Sequence, residues 1–119
     1  MQKYKFNSLY VSVEDMNRAI SFYEKLFGKK VRKKDDRYSE FSFGKLSFGL
    51  YSSKYDGVKV EYGANCVPNF EIENTEEEYK RIKEFAPTID DEIMKLPQMS
   101  LFQFKDTEGN IIEVYAFNK

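Results

Sequence analysis

VSVEDMNRAISFYEKLFG, residues 11–28, is the stretch on which the fold turns. It begins inside an alternation. Over residues 6–13, Phe6, Ser8, Tyr10 and Ser12 interleave with Leu9, Val11 and Val13, the period-2 pattern of a half-buried strand. Asp15 follows, a residue type that caps a helix by accepting a hydrogen bond from a backbone N–H. Met16, Ala19, Ile20, Tyr23, Leu26 and Phe27 then recur at spacings of three and four, which predicts one apolar stripe on a helix. Gly28 supplies the left-handed residue that stops it.

Working outward, short strand-like stretches are expected near 30–35, 38–43 and 46–52, with Gly44-Lys45 as a tight turn between the last two. A segment at 53–65 holding Tyr55, Tyr62 and two glycines crosses to the second half, as a flap or a plain connection. The order then repeats. A strand-like stretch, 66–73, leads into Thr75-Glu76-Glu77-Glu78, which reads as a capping box. The helix after it carries Tyr79, Ile82, Phe85 and Ala86 on one face and ends at Pro87. Strands are expected near 88–95, 99–105 and 111–117, the last two joined by Asp106-Thr107-Glu108-Gly109-Asn110. Adding 59 carries Val11 to Phe70, Val13 to Ile72, Asp15 to Asn74, Ile20 to Tyr79, Tyr23 to Ile82 and Leu26 to Phe85. Matches in residue class at six such positions point to a duplicated unit.

Composition bounds the function. With 119 residues, 41% hydrophobic and 17% aromatic, the chain is too apolar for disorder and long enough for one domain with a real core. A net charge of −1 gives no general attraction to nucleic acid or to an anionic membrane. No apolar run approaches the roughly 18 residues of a membrane span, and the first residues show no signal-peptide core, so a cytoplasmic location is expected. Cys66 has no second cysteine to pair with in the chain, and the absence of any histidine leaves it without an activating base. The basic run Lys29-Lys30-Val31-Arg32-Lys33-Lys34, followed by Asp35-Asp36, reads as the guard of an edge strand rather than a nucleic-acid patch. Asp90-Asp91-Glu92 reads as a solvated turn or strand edge.

Residues 11–28 resemble the first strand and helix of the vicinal oxygen chelate superfamily, which includes glyoxalase I, extradiol dioxygenases and bleomycin-resistance proteins. FKDTEGNIIEVYAF, 104–117, resembles that family's final strand pair, where an Asp-x-x-Gly-Asn turn precedes a Glu. The resemblance implies an α+β fold for the whole chain, 1–119, as one domain. It would hold two tandem βαβββ units, near 6–52 and 66–117, with strands curled around a cleft and helices outside. It also implies dimers, since family members commonly pair, and a homodimer is the expectation here. The family's enzymes hold a divalent metal through four strand positions, which fall on Ser8, Gly49, Val67 and Glu113 in this sequence. Only Glu113 is a competent donor, and such ions need three or four. A shift of two residues would bring Tyr10, Tyr51 and Asn69 instead, which does not restore a site. No metal and no cofactor are therefore expected.

The strand alternation divides the remaining residues. Leu9/Val11/Val13, Phe41/Phe43, Leu46/Phe48/Leu50, Phe70/Ile72, Phe102/Phe104 and Ile112/Val114/Ala116 form an apolar face that must meet the helices. On the opposite face, Ser8, Tyr10, Tyr38, Gly49, Tyr51, Asn69, Glu71, Gln103, Glu113 and Tyr115 are the ligand-binding candidates. Tyrosines, amides and carboxylates together suit an aromatic or polar small molecule. Glu40, Glu71 and Glu113 would favour a cation, although Glu40 and Glu71 have an ordinary reading as water-facing or lysine-paired side chains. Glu113 is also the one candidate catalytic residue, as a general base, with Tyr10 and Tyr115 as its expected neighbours. Two functions follow. One is a small-molecule-binding protein of the bleomycin-resistance type, holding a cationic or aromatic compound without metal. The alternative is a glyoxalase- or dioxygenase-like enzyme using Glu113 with an atypical or lost metal site.

Overall fold

The computed structural model describes residues 3, 6–63 and 66–119. The chain divides into two compact units, Met1–Glu61 and Tyr62–Lys119. The start of the chain and the end of the 53–65 crossing lie partly outside the described residues.

Unit 1 contains β1 (Ser8–Val13), α1 (Met16–Phe27), β2 (Tyr38–Phe43), β3 (Leu46–Ser52) and a 3-10 turn over Ser53–Asp56. β3 is central, with β1 parallel on one side and β2 antiparallel on the other. The helix forms where the sequence predicts it. The Asp15 carboxylate accepts from the Arg18 N–H at 3.0 Å, and Gly28 closes the other end at φ 67°. Its stripe packs on the apolar sheet face, burying Val11, Val13, Ala19, Ile20, Tyr23, Leu26, Phe41, Phe48 and Leu50. Tyr23 is the hub, its ring 5.1–6.4 Å from those of Phe22, Phe27, Phe41 and Phe48. Edge-on and tilted contacts of this kind add to what area burial alone contributes.

The strand expected near 30–35 does not form. An isolated bridge, Lys33 to Glu40, and the contacts of Arg32 with Glu40 join it to the sheet without a continuous ladder. A run of like charges disfavours a regular strand, and local bonds compete with the ladder: Ser39 Oγ donates to the Asp35 carbonyl at 2.8 Å, and the Asp35 side chain accepts from Arg37 N.

Unit 2 repeats the plan with β4 (Asn69–Glu71), α2 (Thr75–Lys83), β5 (Thr88–Ile89), β6 (Met94–Lys95), β7 (Met99–Lys105) and β8 (Ile111–Phe117). β8 lies between β4, parallel, and β7, antiparallel, and β5 and β6 both pair with β7. Three expectations need correction. The helix cap is Asn74, whose side chain accepts from Glu77 N at 3.0 Å; Thr75 is already helical and its hydroxyl meets Ser100 Oγ at 2.8 Å. Glu78 ion-pairs with Arg81, so the expected Thr75–Glu78 capping box does not form. The stretch 88–95 is split into two short strands because the Asp90 carboxylate takes the Gln103 N–H at 2.8 Å, substituting a side chain for the ladder. The 66–73 strand shortens to three residues. Its helical face is thinner than that of unit 1: in α2 only Thr75 and Ile82 are buried, over Phe102, Phe104, Ile112, Val114 and Ala116. No helix among the described residues is long and apolar enough to cross a membrane.

The FKDTEGNIIEVYAF stretch owes its turn to Asp106, which is almost fully buried. Its carboxylate accepts from Glu108 N, Asn110 N and Asn110 Nδ2 at 2.8–2.9 Å, and Gly109 takes the positive φ of 91° that the turn requires. This turn fixes the register of β7 on β8 and so fixes what stands beside Glu113.

Candidate functional site

The two units place equivalent rows of side chains across equivalent strands. In unit 1 the register sets Tyr10 opposite Gly49, and Gly49 opposite Glu40. In unit 2 it sets Asn69 opposite Glu113, and Glu113 opposite Gln103. Each row lies on the sheet face turned away from the helix. The central-strand position is Gly49 in one unit and Glu113 in the other.

In unit 2 the row is a carboxylate between two amides. Asn69 Nδ2 donates to Glu113 Oε2, and Gln103 Nε2 donates to Glu113 Oε1 at 3.0 Å. Both amides supply N–H donors to the charged form and neither brings a countercharge. The negative charge of Glu113 is oriented but not neutralised by an ion pair among the described residues. Glu71 and Tyr115 stand opposite each other on the same face, Glu71 exposed and Tyr115 half-buried. Of the neighbours expected of Glu113 from sequence, Tyr115 stands two residues along β8 on the same face and Tyr10 belongs to unit 1; within unit 2 the hydrogen-bond partners of Glu113 are Asn69 and Gln103.

In unit 1 the corresponding place is filled. Tyr38 leans from β2 so that its hydroxyl and Cζ occupy the space a Cβ on Gly49 would need. Tyr10 packs edge-on against Tyr38 and Tyr51, with ring centroids at 6.0 and 5.5 Å. Burial, helped by the nearby Glu40 charge, pushes the Tyr38 phenol above its ordinary pKa. Tyr51 is fixed differently, donating its hydroxyl to Asp56 Oδ2 at 2.7 Å while Arg37 Nε holds the same carboxylate at 2.9 Å. The Tyr51 hydrogen bond, with Arg37 adding to it, holds Asp56 below the usual carboxylate range, and the same hydrogen bond raises the Tyr51 phenol against the pull of Arg37. Glu40 is paired with Arg32, so its ordinary reading is the right one, with arginine in place of lysine. Ser8 lies exposed at the start of β1 opposite Ser47. Arg37 and Asp56 were not singled out from sequence. Their only signal was opposite charge on either side of the two strands that carry Tyr38 and Tyr51.

The residues present do not fit a divalent metal. Gly49 has no donor and its space belongs to Tyr38, Val67 has none, and both Glu113 oxygens already accept from amides. Among the described residues no three His, Cys, Asp or Glu side chains group closely enough to hold such an ion.

The comparisons with known proteins agree with this architecture. No curated protein matches the chain's sequence. Among solved structures, the chain is similar to a lactoylglutathione lyase from Agrobacterium tumefaciens, at 16% identity and TM-score 0.76, covering 98% of this chain and 96% of that one. It is similar to a glyoxalase/bleomycin resistance protein from Albidiferax ferrireducens, at 18% identity and TM-score 0.76, covering 93% and 97%. A glyoxalase/bleomycin resistance protein/dioxygenase from Nocardioides shares 15% identity at TM-score 0.77, covering 100% and 87%. At these identities the likeness is one of fold. The family description Glyoxalase/Bleomycin resistance protein/Dioxygenase superfamily matches residues 5–114, nearly the full length, and the chain belongs to that superfamily.

Proposed function

We propose that this chain binds a small organic cation, aromatic in part, without a metal and without chemical turnover. The observation that carries the reading is Glu113, a carboxylate oriented by Asn69 and Gln103 and left without a cationic partner among the described residues. A fixed, uncompensated negative charge on a sheet face favours a cation by direct attraction. Tyr115, half-buried on the same face of the same strand, adds a ring surface for cation–π or stacking contact. A donor set that does not fit a metal removes the polarising ion on which a glyoxalase- or dioxygenase-type reaction would draw.

A thermal-shift screen of cationic, neutral and anionic aromatic compounds tests this. Cationic compounds should raise Tm, since a ligand at about 100 times its Kd stabilises by about 2.7 kcal/mol. Glu113→Gln keeps the side chain's shape and one acceptor oxygen, with one neighbouring amide turned to present its own oxygen, but removes the charge, and should weaken binding about tenfold, roughly 1.4 kcal/mol. Tight, stoichiometric binding of a divalent metal that Glu113→Gln abolishes would overturn the proposal in favour of the enzyme reading.

A further inference from the structure

The open face of the unit 2 sheet changes character along its strands. Residues of one parity on β7 and β8 lie beneath α2, and the others face away: Met99, Leu101, Gln103 and Lys105 on β7, and Ile111, Glu113, Tyr115 and Phe117 on β8. The cross-strand pairs are Met99 with Phe117, Leu101 with Tyr115, Gln103 with Glu113, and Lys105 with Ile111. On the far edge Met94 of β6 stands opposite Leu101 and extends the same face. One end of this face is therefore apolar, the middle carries the Glu113 carboxylate, and the other end carries a lysine. Met94 and Phe117 are 56% and 58% exposed, and Tyr115 and Phe117 pack edge-on with ring centroids 5.5 Å apart.

We propose that this face binds an amphiphilic organic cation lengthwise, with its charge at Glu113 and its apolar body over Leu101, Tyr115, Met94, Met99 and Phe117. The orientation follows from charge. Lys105 repels a cation on the side of Glu113 towards the turn, whereas the side towards Phe117 carries no basic side chain on β7 or β8. Glu71, opposite Tyr115, adds a second carboxylate alongside and disfavours an anionic body. The scale follows from strand geometry. Phe117 lies four residue steps along β8 from Glu113, about 13 Å at the usual rise, so the ligand's apolar part reaches up to about that far from its charge. Two methionines make the surface adaptable, because unbranched thioether side chains re-pack around differing shapes. The ligand class is thus a set of hydrophobic cations of similar length rather than one compound. This inference rests on the reading of Glu113 as a cation's partner and adds to it the residues that select the ligand's body.

The experiment is isothermal titration of the full chain with tetramethylammonium, benzyltrimethylammonium and decyltrimethylammonium, which carry one permanent charge each and differ in the length of their apolar body. Affinity should rise at least tenfold from the first to the last. Met94→Ser with Phe117→Ser, both at exposed positions, should lower decyltrimethylammonium affinity about tenfold and leave tetramethylammonium unaffected, while Glu113→Gln weakens all three. Equal affinities across the series, or no loss in the double variant, would overturn the inference while leaving Glu113-dependent cation binding intact. No binding of any of the three would overturn both. If a second copy of the chain covers this face instead, the double variant will lower the mass measured by light scattering without changing decyltrimethylammonium affinity, and that too overturns it.

Discussion

The central strands of the two sheets, β3 and β8, occupy the same place in the same strand order and carry opposite chemistry. At the middle of β3 stands Gly49, roofed by the phenol of Tyr38 and bordered by Tyr10 and by Glu40, which Arg32 neutralises. At the middle of β8 stands Glu113, clasped by two neutral amides. The helices differ in the other direction. α1 buries six side chains and α2 two. Unit 1 is thus the better-packed half with a closed row, and unit 2 the lighter half with a charged one. A duplicated backbone need not carry duplicated chemistry: caps and strand order recur because folding requires them, while the outward row is free to diverge.

The largest expected effect lies in the cores. Tyr23→Ala removes the ring at the centre of the unit 1 aromatic cluster and should cost about 3–5 kcal/mol in urea unfolding. Tyr79→Ala in α2 removes a half-buried ring that touches Phe102 and donates to the Asp90 carbonyl at 2.5 Å, and should cost less than about 2 kcal/mol. Equal losses would show that the two helices contribute alike and that the difference in burial is immaterial.

Next comes the closed row. Gly49→Ala forces the Tyr38 ring out of its place and should cost about 1–3 kcal/mol. Introduced into a Tyr38→Ala background, the same change should cost less than about 0.5 kcal/mol, because the obstructing ring is gone. An unrelieved loss in the double variant would place the strain in the backbone rather than in the phenol.

The smallest effect is electrostatic and belongs to the edge of the tyrosine cluster. Asp56 has a folded pKa below its unfolded one, so its contribution is full above the ordinary carboxylate value of about 3.9 and is lost as pH falls through the folded value. The stability difference between the wild type and Asp56→Asn should therefore close on acidification below pH ~4. A difference that persists at low pH would assign the role of Asp56 to hydrogen bonding independent of its charge.

Much of this was readable from residues 11–28 and 104–117. Periodicity, Asp15 and Gly28 placed α1 to the residue, and the offset of 59 correctly carried the cap from Asp15 to Asn74. Thr75 misled because a Thr three residues before a Glu satisfies the capping-box pattern, while the preceding Asn caps equally well and only geometry chooses between them. The strands at 30–35 and 88–95 were over-read for a related reason: Asp35, Ser39 and Asp90 offered the backbone side-chain partners that alternation cannot reveal. On the site, the face shared by Asn69, Gln103 and Glu113 followed from period-2 counting, but their meeting in one row did not. That depends on the register of three strands, set in part by the buried Asp106 turn, and on Asn69 lying 44 residues from Glu113. The overlap of Tyr38 with Gly49 was equally invisible, since the register pairs Tyr38 with Tyr51 and only the lean of the ring brings it over the glycine.

That overlap also limits what substitution can do to the chain over generations. Position 49 is where the family resemblance sets a metal ligand, and any side chain placed there meets the Tyr38 ring. Tyr38 can shrink first, but this sacrifices its edge contact with Tyr10 before a new donor has arrived. Both single steps lose stability and neither alone recovers a site. The pair therefore acts as a latch: a donor side chain at position 49 requires two coordinated changes, one there and one at Tyr38.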